Sequence, residues 1–558
     1  MEVRLAGPGP VAAGDVELAI EDRDDGWSWA AANRGDRPLA LEGVALVWDA
    51  GACGPEPRLL RNGYQSWSPC GVARLGVDDD PSRAPGVHGL SRAVHHADAA
   101  VADGGELRSE LVTVLRRDVD DPLLCAGFTA GATHDGTFRA RLDDGRVIVA
   151  AEAFLGGAVL APGEVRPLHG VRLAEGGPGR APELLADWAS AVGRAGAARV
   201  DAPFTVGWCS WYQYFAAVTE GDVRSNLALA DDWPFDVFQV DDGYQAAVGD
   251  WLTPNERFPG GLDALAGAIA GSGREPGIWL APFLAAPHSA LVGEHPGWVA
   301  THASGRPLVG AAVEAWGGPV LVLDTTRDEV LAELEATAAG LVAAGYRYLK
   351  LDFTYAPSVP GTYADPRKTP AERVRAGLEA VRRGAGEEVF LLGCGLPLGA
   401  GVGVVDGMRI GPDVAPWWDP PEGVVPGYAE AAPATRNAWR STLVRSALHR
   451  RLWLNDPDCL MLRTADTELS AEAVRAWALA VGASGGMALV SDDLALLDGD
   501  ARRLLDEVLA VGRAVDAEAR AGLPPRCEDL MDAATPGRLT AAGARLVGDP
   551  DGATARLR

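Results

Sequence analysis

The sequence predicts a multidomain protein with an N-terminal antiparallel β-sandwich, a central (β/α)8 TIM barrel and a small C-terminal β domain. Short alternating apolar runs fill residues 1–200, and brief apolar runs separated by helical segments fill residues 201–514. Two further strand-like runs lie in residues 515–558. A length of 558 residues gives room for this many units.

The N-terminal region has the pattern of repeated short strands. PLALEGVALVW, ELVTVLRR, TFRARL and RVIVAAEAF are separated by Gly, Pro and Asp turn residues. Strands of this length with regular punctuation favour an antiparallel sandwich.

The central region has eight apolar runs that end in polar or aromatic residues: 204–211, 235–242, 276–283, 346–353, 389–395, 407–411, 451–456 and 487–491. Helical segments lie between them, such as VTEGDVRSNLALADDW with Thr219 as its predicted N-cap. Eight such units predict a (β/α)8 barrel. The glycine-rich stretch between 395 and 407 predicts a loop, and RLTAAGARLVG and ATARLR predict the C-terminal strands.

Composition excludes several classes of function. A net charge of −27 disfavours nucleic acid as a partner, and no apolar run reaches the length of a membrane helix. The first residues lack a signal-peptide pattern and the seven cysteines never form CxxC, so a cytoplasmic location is expected. The sequence leaves the oligomeric state undefined.

Cofactor and metal motifs are missing from the sequence. The nine histidines form no HxH pair at a strand end and no HExxH, and the adjacent His95 and His96 are expected at the surface. Phosphate-loop, dinucleotide and GxSxG motifs are also missing. We therefore expect neither a metal nor a cofactor.

The first candidate catalytic residue is Asp352 in YRYLKLDF. The two-residue strand period puts Lys350 and Asp352 on one face, and barrel strands present their C-terminal ends to the active site. The lysine charge would hold Asp352 ionised, which suits a nucleophile. The alternative is a buried structural ion pair.

The second candidate is Asp413 in GMRIGPDVAPWW. Its prolines, with Trp417 and Trp418, predict a stiff apolar loop that desolvates Asp413 and raises its pKa, as a general acid requires. The alternative is an aspartate that caps a turn.

Other strand ends carry residues suited to a sugar ligand. Asp241 and Asp242 can accept from neighbouring hydroxyls, with cation binding or loop solvation as alternatives. Trp211, Tyr212 and Trp279 can stack on a sugar ring or pack in the core, and Cys394 can shape the pocket or be inert. Two separated acids without metal or cofactor favour glycoside hydrolysis.

These motifs resemble glycoside hydrolase family 36 of clan D, and in particular its shorter bacterial and thermophile α-galactosidases. The resemblance rests on WCSWYQYF, FQVDDGYQ, GIWLAPF, YLKLDF, LLGCGLPL, DGMRIGPDVAPWW, LWLNDPDCLMLR and SDDL. RNGYQSWSP at 61–69 resembles the sandwich loop that reaches the barrel mouth, which would bring Gln65 and Trp67 near the substrate.

The resemblance implies a role for each matching position. Asp352 would be the nucleophile and Asp413 the acid/base of a retaining exo-α-galactosidase acting on oligosaccharides such as melibiose and raffinose. The implied substrate-binding residues are Asp241, Asp242, Lys350, Arg409, Trp279, Trp211, Tyr212, Cys394 and Trp67. Alternatives are an α-N-acetylgalactosaminidase, an α-galactosyl transglycosidase with acceptor-side aromatics such as Trp67 and Trp418, and a catalytically silent carbohydrate-binding protein.

Overall fold

A computed structural model describes residues 2–6, 15–424 and 426–558 of the chain. The order of its elements follows the sequence pattern: antiparallel strands, then alternating strands and helices, then a small antiparallel sheet.

Two antiparallel sheets form the N-terminal region. The five-stranded sheet has the order β1-β4-β11-β10-β7, and the seven-stranded sheet has the order β2-β3-β12-β9-β8-β5-β6. The strands are β1 (Glu2–Ala6), β2 (Val16–Arg23), β3 (Gly26–Asn33), β4 (Leu39–Ala52), β5 (Arg58–Arg61), β6 (Gly71–Arg74), β7 (Leu107–Glu110), β8 (Val112–Arg116), β9 (Leu123–Phe128), β10 (Asp135–Asp143), β11 (Arg146–Leu160) and β12 (Val165–Gly176). Helix α1 (Gly89–His95) interrupts them and α2 (Ala181–Ala195) follows them.

The sandwich core follows from strand alternation. Leu46 on β4 and Ala151 on β11 are paired across the first sheet and fully buried, while Val114 on β8 and Phe128 on β9 are buried in the second. Inward-facing apolar residues of the two sheets thus form the core of the predicted sandwich.

The central region contains all eight predicted barrel strands. They are β13 (Val206–Cys209), β14 (Val237–Val240), β15 (Glu275–Leu280), β19 (Tyr348–Leu351), β20 (Phe390–Gly393), β21 (Gly407–Arg409), β22 (Leu454–Asp456) and β23 (Ala488–Val490). They pair in parallel in the order β22-β21-β20-β19-β15-β14-β13-β23.

The segment after β22 closes the barrel between its two edge strands. The Leu460 amide donates to the Leu489 carbonyl at 2.6 Å, and the Ser491 amide donates to the Leu460 carbonyl at 2.8 Å. The segment that follows Asp456 therefore occupies the gap, which matters for the site described below.

Helices and a small inserted sheet surround the barrel. The helices are α3 (Trp211–Tyr214), α4 (Glu220–Leu229), α5 (Leu262–Gly271), α6 (Ala290–Glu294), α7 (Asp328–Ala343), α8 (Pro370–Ala385), α9 (Leu398–Gly401), α10 (Thr435–Val444), α11 (Ala471–Ser484) and α12 (Gly499–Arg520). The inserted sheet contains β16 (Leu284–Ala285), β17 (Val309–Val313) and β18 (Gly318–Val322).

Local sequence explains how several helices begin and end. Thr219 caps α4 as predicted, in a capping box with Asp222, and Thr369 and Glu372 form the same arrangement at α8. The stretch between 395 and 407 is mostly loop, as predicted, apart from the four-residue helix α9.

The C-terminal sheet is antiparallel and consists of β24 (Arg526–Cys527), β25 (Arg538–Ala541), β26 (Ala544–Asp549) and β27 (Thr554–Leu557). Trp439 of α10 donates its indole N–H to the Pro536 carbonyl, which ties this sheet to the barrel. The division of the chain at residues 200 and 514 stays a prediction, and the second boundary lies inside α12.

Candidate active site

A cavity of about 260 Å³ lies at the C-terminal ends of the barrel strands, where this fold places its active sites. Its lining residues are Trp67, His95, Trp211, Asp241, Asp242, Trp279, Val313, Trp316, Lys350, Asp352, Phe353, Asp413, Ala431 and Pro433. Both predicted catalytic carboxylates and six of the predicted binding residues therefore face one cavity.

Asp352 follows β19 and is held by two hydrogen-bond donors. The Trp279 indole N–H donates to Oδ2 at 2.9 Å, and the Phe353 amide donates to Oδ1 at 2.9 Å. Phe353 has a φ of 52°, an unusual backbone conformation for a bulky residue, and such strain concentrates at functional sites. The donors fix the orientation of the carboxylate toward the cavity.

The partner of Lys350 differs from the sequence-based expectation. Its Nζ donates to Asp241 Oδ2 at 2.8 Å, so its ion pair is with Asp241 and not with Asp352. Lys350 and Asp241 are both buried. Burial by itself lowers the pKa of Lys350, but the carboxylates of Asp241 and Asp352 outweigh it and raise this pKa. Lys350 therefore stays charged beside both carboxylates.

Asp241 and Asp242 both reach the cavity from the end of β14. Asp241 also accepts from the Gln239 side chain at 2.6 Å. Asp242 accepts from Gln245 at 2.6 Å and from the Trp316 indole at 2.8 Å, and burial raises its pKa to about 6. Both carboxylates are thus oriented by the protein at the cavity wall.

Asp413 faces the cavity from the loop after β21. About a third of its side chain is exposed, while the protein around it desolvates the carboxyl group and raises its pKa to about 7. The charge of Asp458 adds to this effect and Arg409, which donates to Asp413 Oδ1 at 3.0 Å, opposes it. The direction of the pKa shift is the one predicted from sequence.

The source of the desolvation differs in part from the prediction. Trp417 donates to the Pro433 carbonyl and Trp418 donates to the Pro550 carbonyl, and neither lines the cavity. Trp418 lies against Trp439 and the C-terminal sheet, so it is not placed as an acceptor-side aromatic.

Three predicted binding residues lie behind the cavity wall. Arg409 is buried and contacts Asp413, Asp456 and Asp458. The Tyr212 hydroxyl donates to Asp458, and Cys394 is buried at the end of β20. Of the three, Arg409 contacts the lining residue Asp413, and none of the three is itself among the residues that line the cavity.

The loop 62–68 of the sandwich reaches the barrel mouth, as expected. Trp67 lines the cavity, and its ring lies edge-on to Phe353 at a centroid distance of 5.0 Å. Gln65 is fully buried and does not line the cavity; its side chain accepts from the Trp67 amide at 2.8 Å and so shapes the loop.

Sequence reasoning missed several residues of the lining, among them His95 and Trp316. His95 was expected at the surface, but it is half-buried in the cavity wall against Tyr428, and burial lowers its pKa to about 3. His96 is buried as well. Trp316 lies in the short 3-10 turn between β17 and β18, and its isolated position after a short apolar run gave no signal of a barrel-mouth role.

No metal-binding cluster of His, Cys, Asp or Glu is found among the residues that the structure describes. Within the same part of the chain, no helix has the length and apolar character needed to cross a bilayer. The titratable side chains that line the cavity are its carboxylates, Lys350 and His95.

Comparison with known proteins points to one family. The Melibiase family model matches residues 214–374. Alpha-galactosidase AgaA of Geobacillus stearothermophilus is 30% identical over 170 residues, which are 30% of this chain and 22% of that protein. Alpha-galactosidase of Escherichia coli is 36% identical over 69 residues, 11% of this chain and 10% of that protein. The matched segments thus span less than a quarter of these curated relatives.

The structural match extends over nearly the whole chain. TtGalA, an alpha-galactosidase from Thermus thermophilus in complex with p-nitrophenyl alpha-D-galactopyranoside, superposes with a TM-score of 0.72 at 28% identity. The superposition covers 95% of this chain and 99% of that protein. Sandwich, barrel and C-terminal sheet are therefore shared with it.

Proposed function

We propose that this chain, a member of glycoside hydrolase family 36, is a retaining exo-α-galactosidase that releases terminal α-galactose from oligosaccharides such as melibiose and raffinose. The observation that carries the proposal is the pair of carboxyl groups facing one small cavity: Asp352 held by two donors, and Asp413 with a pKa raised to about 7. TtGalA, which shares the fold, binds p-nitrophenyl α-galactoside and stachyose.

In the first step, Asp352 attacks the anomeric carbon while Asp413 donates its proton to the leaving oxygen. A proton donor must be protonated near neutral pH, and the raised pKa of Asp413 supports this role. The hydrogen bonds from Trp279 and Phe353 restrict the rotation of the Asp352 carboxylate, which favours attack from one direction.

In the second step, ionised Asp413 takes a proton from water, which displaces Asp352 and releases α-galactose. The same residue acts first as acid and then as base, so a pKa near the working pH suits both steps.

The cavity wall supports recognition of a single terminal sugar. A volume of about 260 Å³ is smaller than pockets that enclose drug-sized ligands, which favours one ring over an extended polymer. We assign Asp241, Asp242 and Lys350 to its hydroxyl groups and Trp67, Trp211 and Trp279 to its apolar face. Arg409 pairs with Asp413 from behind the cavity wall, and Tyr212 and Cys394 are also buried behind it.

We further propose that the protein works in the cytoplasm. All seven cysteines are unpaired in the structure, and six of them are buried. Free cysteines in this number are typical of a reducing compartment.

The proposal is tested with two substrates whose leaving groups differ in their need for protonation. Asp352→Ala should lower kcat/KM at least about 10⁴-fold for both raffinose and p-nitrophenyl α-galactoside, because the nucleophile is lost. Asp413→Ala should lower it about 10²- to 10⁴-fold for raffinose and much less for the nitrophenyl substrate, whose leaving group needs little protonation.

Asp419→Ala is the matched control, since Asp419 lies on the same loop and is exposed. It should keep wild-type kinetics. A kcat/KM of Asp352→Ala close to that of wild type, or equal losses on both substrates in Asp413→Ala, would contradict the assigned roles. Wild-type activity restricted to N-acetylgalactosaminides, or transfer of galactose to another sugar in place of hydrolysis, would replace the proposed substrate or reaction with one of the alternatives.

A further inference from the structure

Asp458 is a fully buried carboxylate in the segment that closes the barrel after β22. Its backbone φ of 93° lies in a region that residues other than glycine rarely adopt. Strain of this kind persists only where surrounding contacts hold the residue in place. The contacts of its two carboxylate oxygens show what holds it.

Donors approach both oxygens of Asp458. On Oδ1, Arg409 Nη2 is at 2.7 Å and the Cys459 amide is at 2.7 Å. On Oδ2, the Val414 amide donates at 2.9 Å, and the Tyr212 hydroxyl donates as well. Burial raises the pKa of Asp458, while the positive charge of Arg409 and the hydrogen bond from Tyr212 oppose this shift. With a donor on each oxygen and a guanidinium group beside it, Asp458 fits the site as an ionised acceptor.

Two of these contacts lead directly to Asp413. Val414 is the next residue in the chain, so the bond from its amide fixes the backbone that carries the Asp413 side chain. Arg409 lies between the two carboxylates, with Nη1 on Asp413 and Nη2 on Asp458. Asp458 thus competes with Asp413 for the same guanidinium group.

We propose that Asp458 is a positioning residue that keeps the carboxyl group of Asp413 in place and protonated for proton donation to the leaving group. This inference rests on the proposed function and adds to it a residue that does not touch the cavity.

The electrostatics at Asp413 agree with this geometry. The charged and titratable groups facing it are Asp458, Arg409, Lys350, Asp352, Tyr212 and Cys394. Burial is the largest influence that raises the Asp413 pKa, and the negative charge of Asp458 is the second largest. The positive charges of Arg409 and Lys350 lower this pKa. Neutralising Asp458 removes the first effect and lets Arg409 pair more fully with Asp413.

The test compares the pH dependence of kcat/KM for raffinose in wild type and Asp458→Asn. Its basic limb reports loss of the proton from the general acid in the free enzyme. We expect this limb to move to lower pH by about one unit or more, the usual size of a like-charge effect. The fall in activity at neutral pH should be larger for raffinose than for p-nitrophenyl α-galactoside.

The matched control is Asp492→Asn. Asp492 is an equally buried aspartate, paired with Arg463 at 2.7 Å, and it is not among the groups facing Asp413. It measures the general cost of neutralising a buried Asp–Arg pair in this barrel. The basic limb should stay in place in this variant whatever its activity.

Tyr212→Phe covers the case in which Asp458→Asn does not fold. It removes one hydrogen-bond donor from Asp458 and leaves the neighbouring charges unchanged. The negative charge of Asp458 is then less well screened and repels an ionised Asp413 more strongly, so the basic limb should move to higher pH. This direction is opposite to that of Asp458→Asn.

The results separate the inference from the proposed function. A wild-type enzyme without α-galactosidase activity refutes the proposed function and, with it, this inference. If the wild type is active and Asp458→Asn folds, three results refute the inference alone. The basic limb of Asp458→Asn stays at the wild-type pH, it moves to higher pH, or the limb of Asp492→Asn moves by the same amount. If only Tyr212→Phe folds, an unmoved or lowered limb in that variant refutes it.

Discussion

Asp413 has an environment that differs clearly from that of an ordinary surface aspartate. Its carboxyl group faces a cavity while the surrounding protein and the charge of Asp458 raise its pKa to about 7. Asp352, in contrast, accepts from two donors that hold its oxygens in place. The two carboxyl groups therefore have different environments, which is how one site assigns acid and nucleophile.

The Asp413 pKa gives a pH prediction. Below about pH 7 the carboxyl group is protonated and can donate; as the pH rises through this value the proton is lost and the first step slows. Measured kcat/KM for raffinose should therefore fall through a basic limb near pH 7. A profile that stays flat across this range would contradict the role of Asp413 as the acid.

At the residue scale, the sequence predicted that Asp352 and Asp413 face one site because each follows a short apolar strand, and both line one cavity. It misassigned the partner of Lys350. The lysine on β19 crosses the barrel interior to Asp241 after β14, with β15 between the two strands in the sheet. Strand periodicity gives the face of a residue but not its partner across a closed barrel.

At the element scale, one loop brings a sandwich residue into the barrel site. Arg445, at the C-terminal end of α10, is buried and donates to the carbonyl oxygens of Gly63, Ser66 and Ile410 at 3.1, 3.1 and 2.7 Å. It thereby holds the loop 62–68 against the end of β21, with Trp67 over the cavity.

Arg445→Leu should loosen this loop. Carbonyl groups left without a donor cost about 1–3 kcal/mol each, so the variant should be destabilised by about 3 kcal/mol or more. The KM for raffinose should rise because Trp67 is no longer held. Thermal unfolding and steady-state kinetics measure the two effects.

Arg475→Leu is the control for Arg445→Leu. Arg475 is a half-exposed arginine that pairs with Glu507 on the surface, and such pairs are worth about 1 kcal/mol or less. It should keep the wild-type KM and nearly the wild-type unfolding temperature. If Arg445→Leu behaves like this control, the loop does not depend on Arg445.

Strands were predicted correctly where a short apolar run marked them in the sequence, and they were missed where no such run stood out. All eight barrel strands were found from short apolar runs, and the two C-terminal runs correspond to β25, β26 and β27, whereas β24 was not predicted. The inserted strands β16, β17 and β18 were missed, although they bring Trp316 to Asp242, because short runs between β15 and α7 resemble loop sequence. Their placement depends on packing against the barrel mouth rather than on periodicity.

At the scale of the whole molecule, the site is assembled from separate regions of the chain. His95 lies at the end of helix α1 in the sandwich region, and Trp67 lies on the loop 62–68 of the same region, while the carboxylates come from the barrel. Contacts between residues some hundreds of positions apart have no local sequence signal, which explains why His95 was expected at the surface. The barrel alone therefore lacks part of the cavity wall.

In the proposed mechanism, Asp352 and Asp413 perform a double displacement on an α-galactoside. Proton NMR of the anomeric signals during the first minutes of hydrolysis of p-nitrophenyl α-galactoside by the full chain tests this mechanism. Two inversions at one carbon restore its configuration, so we expect α-galactose as the first product, with β-galactose appearing later by mutarotation. First-formed β-galactose would mean a single displacement by water and would contradict the role of Asp352 as nucleophile.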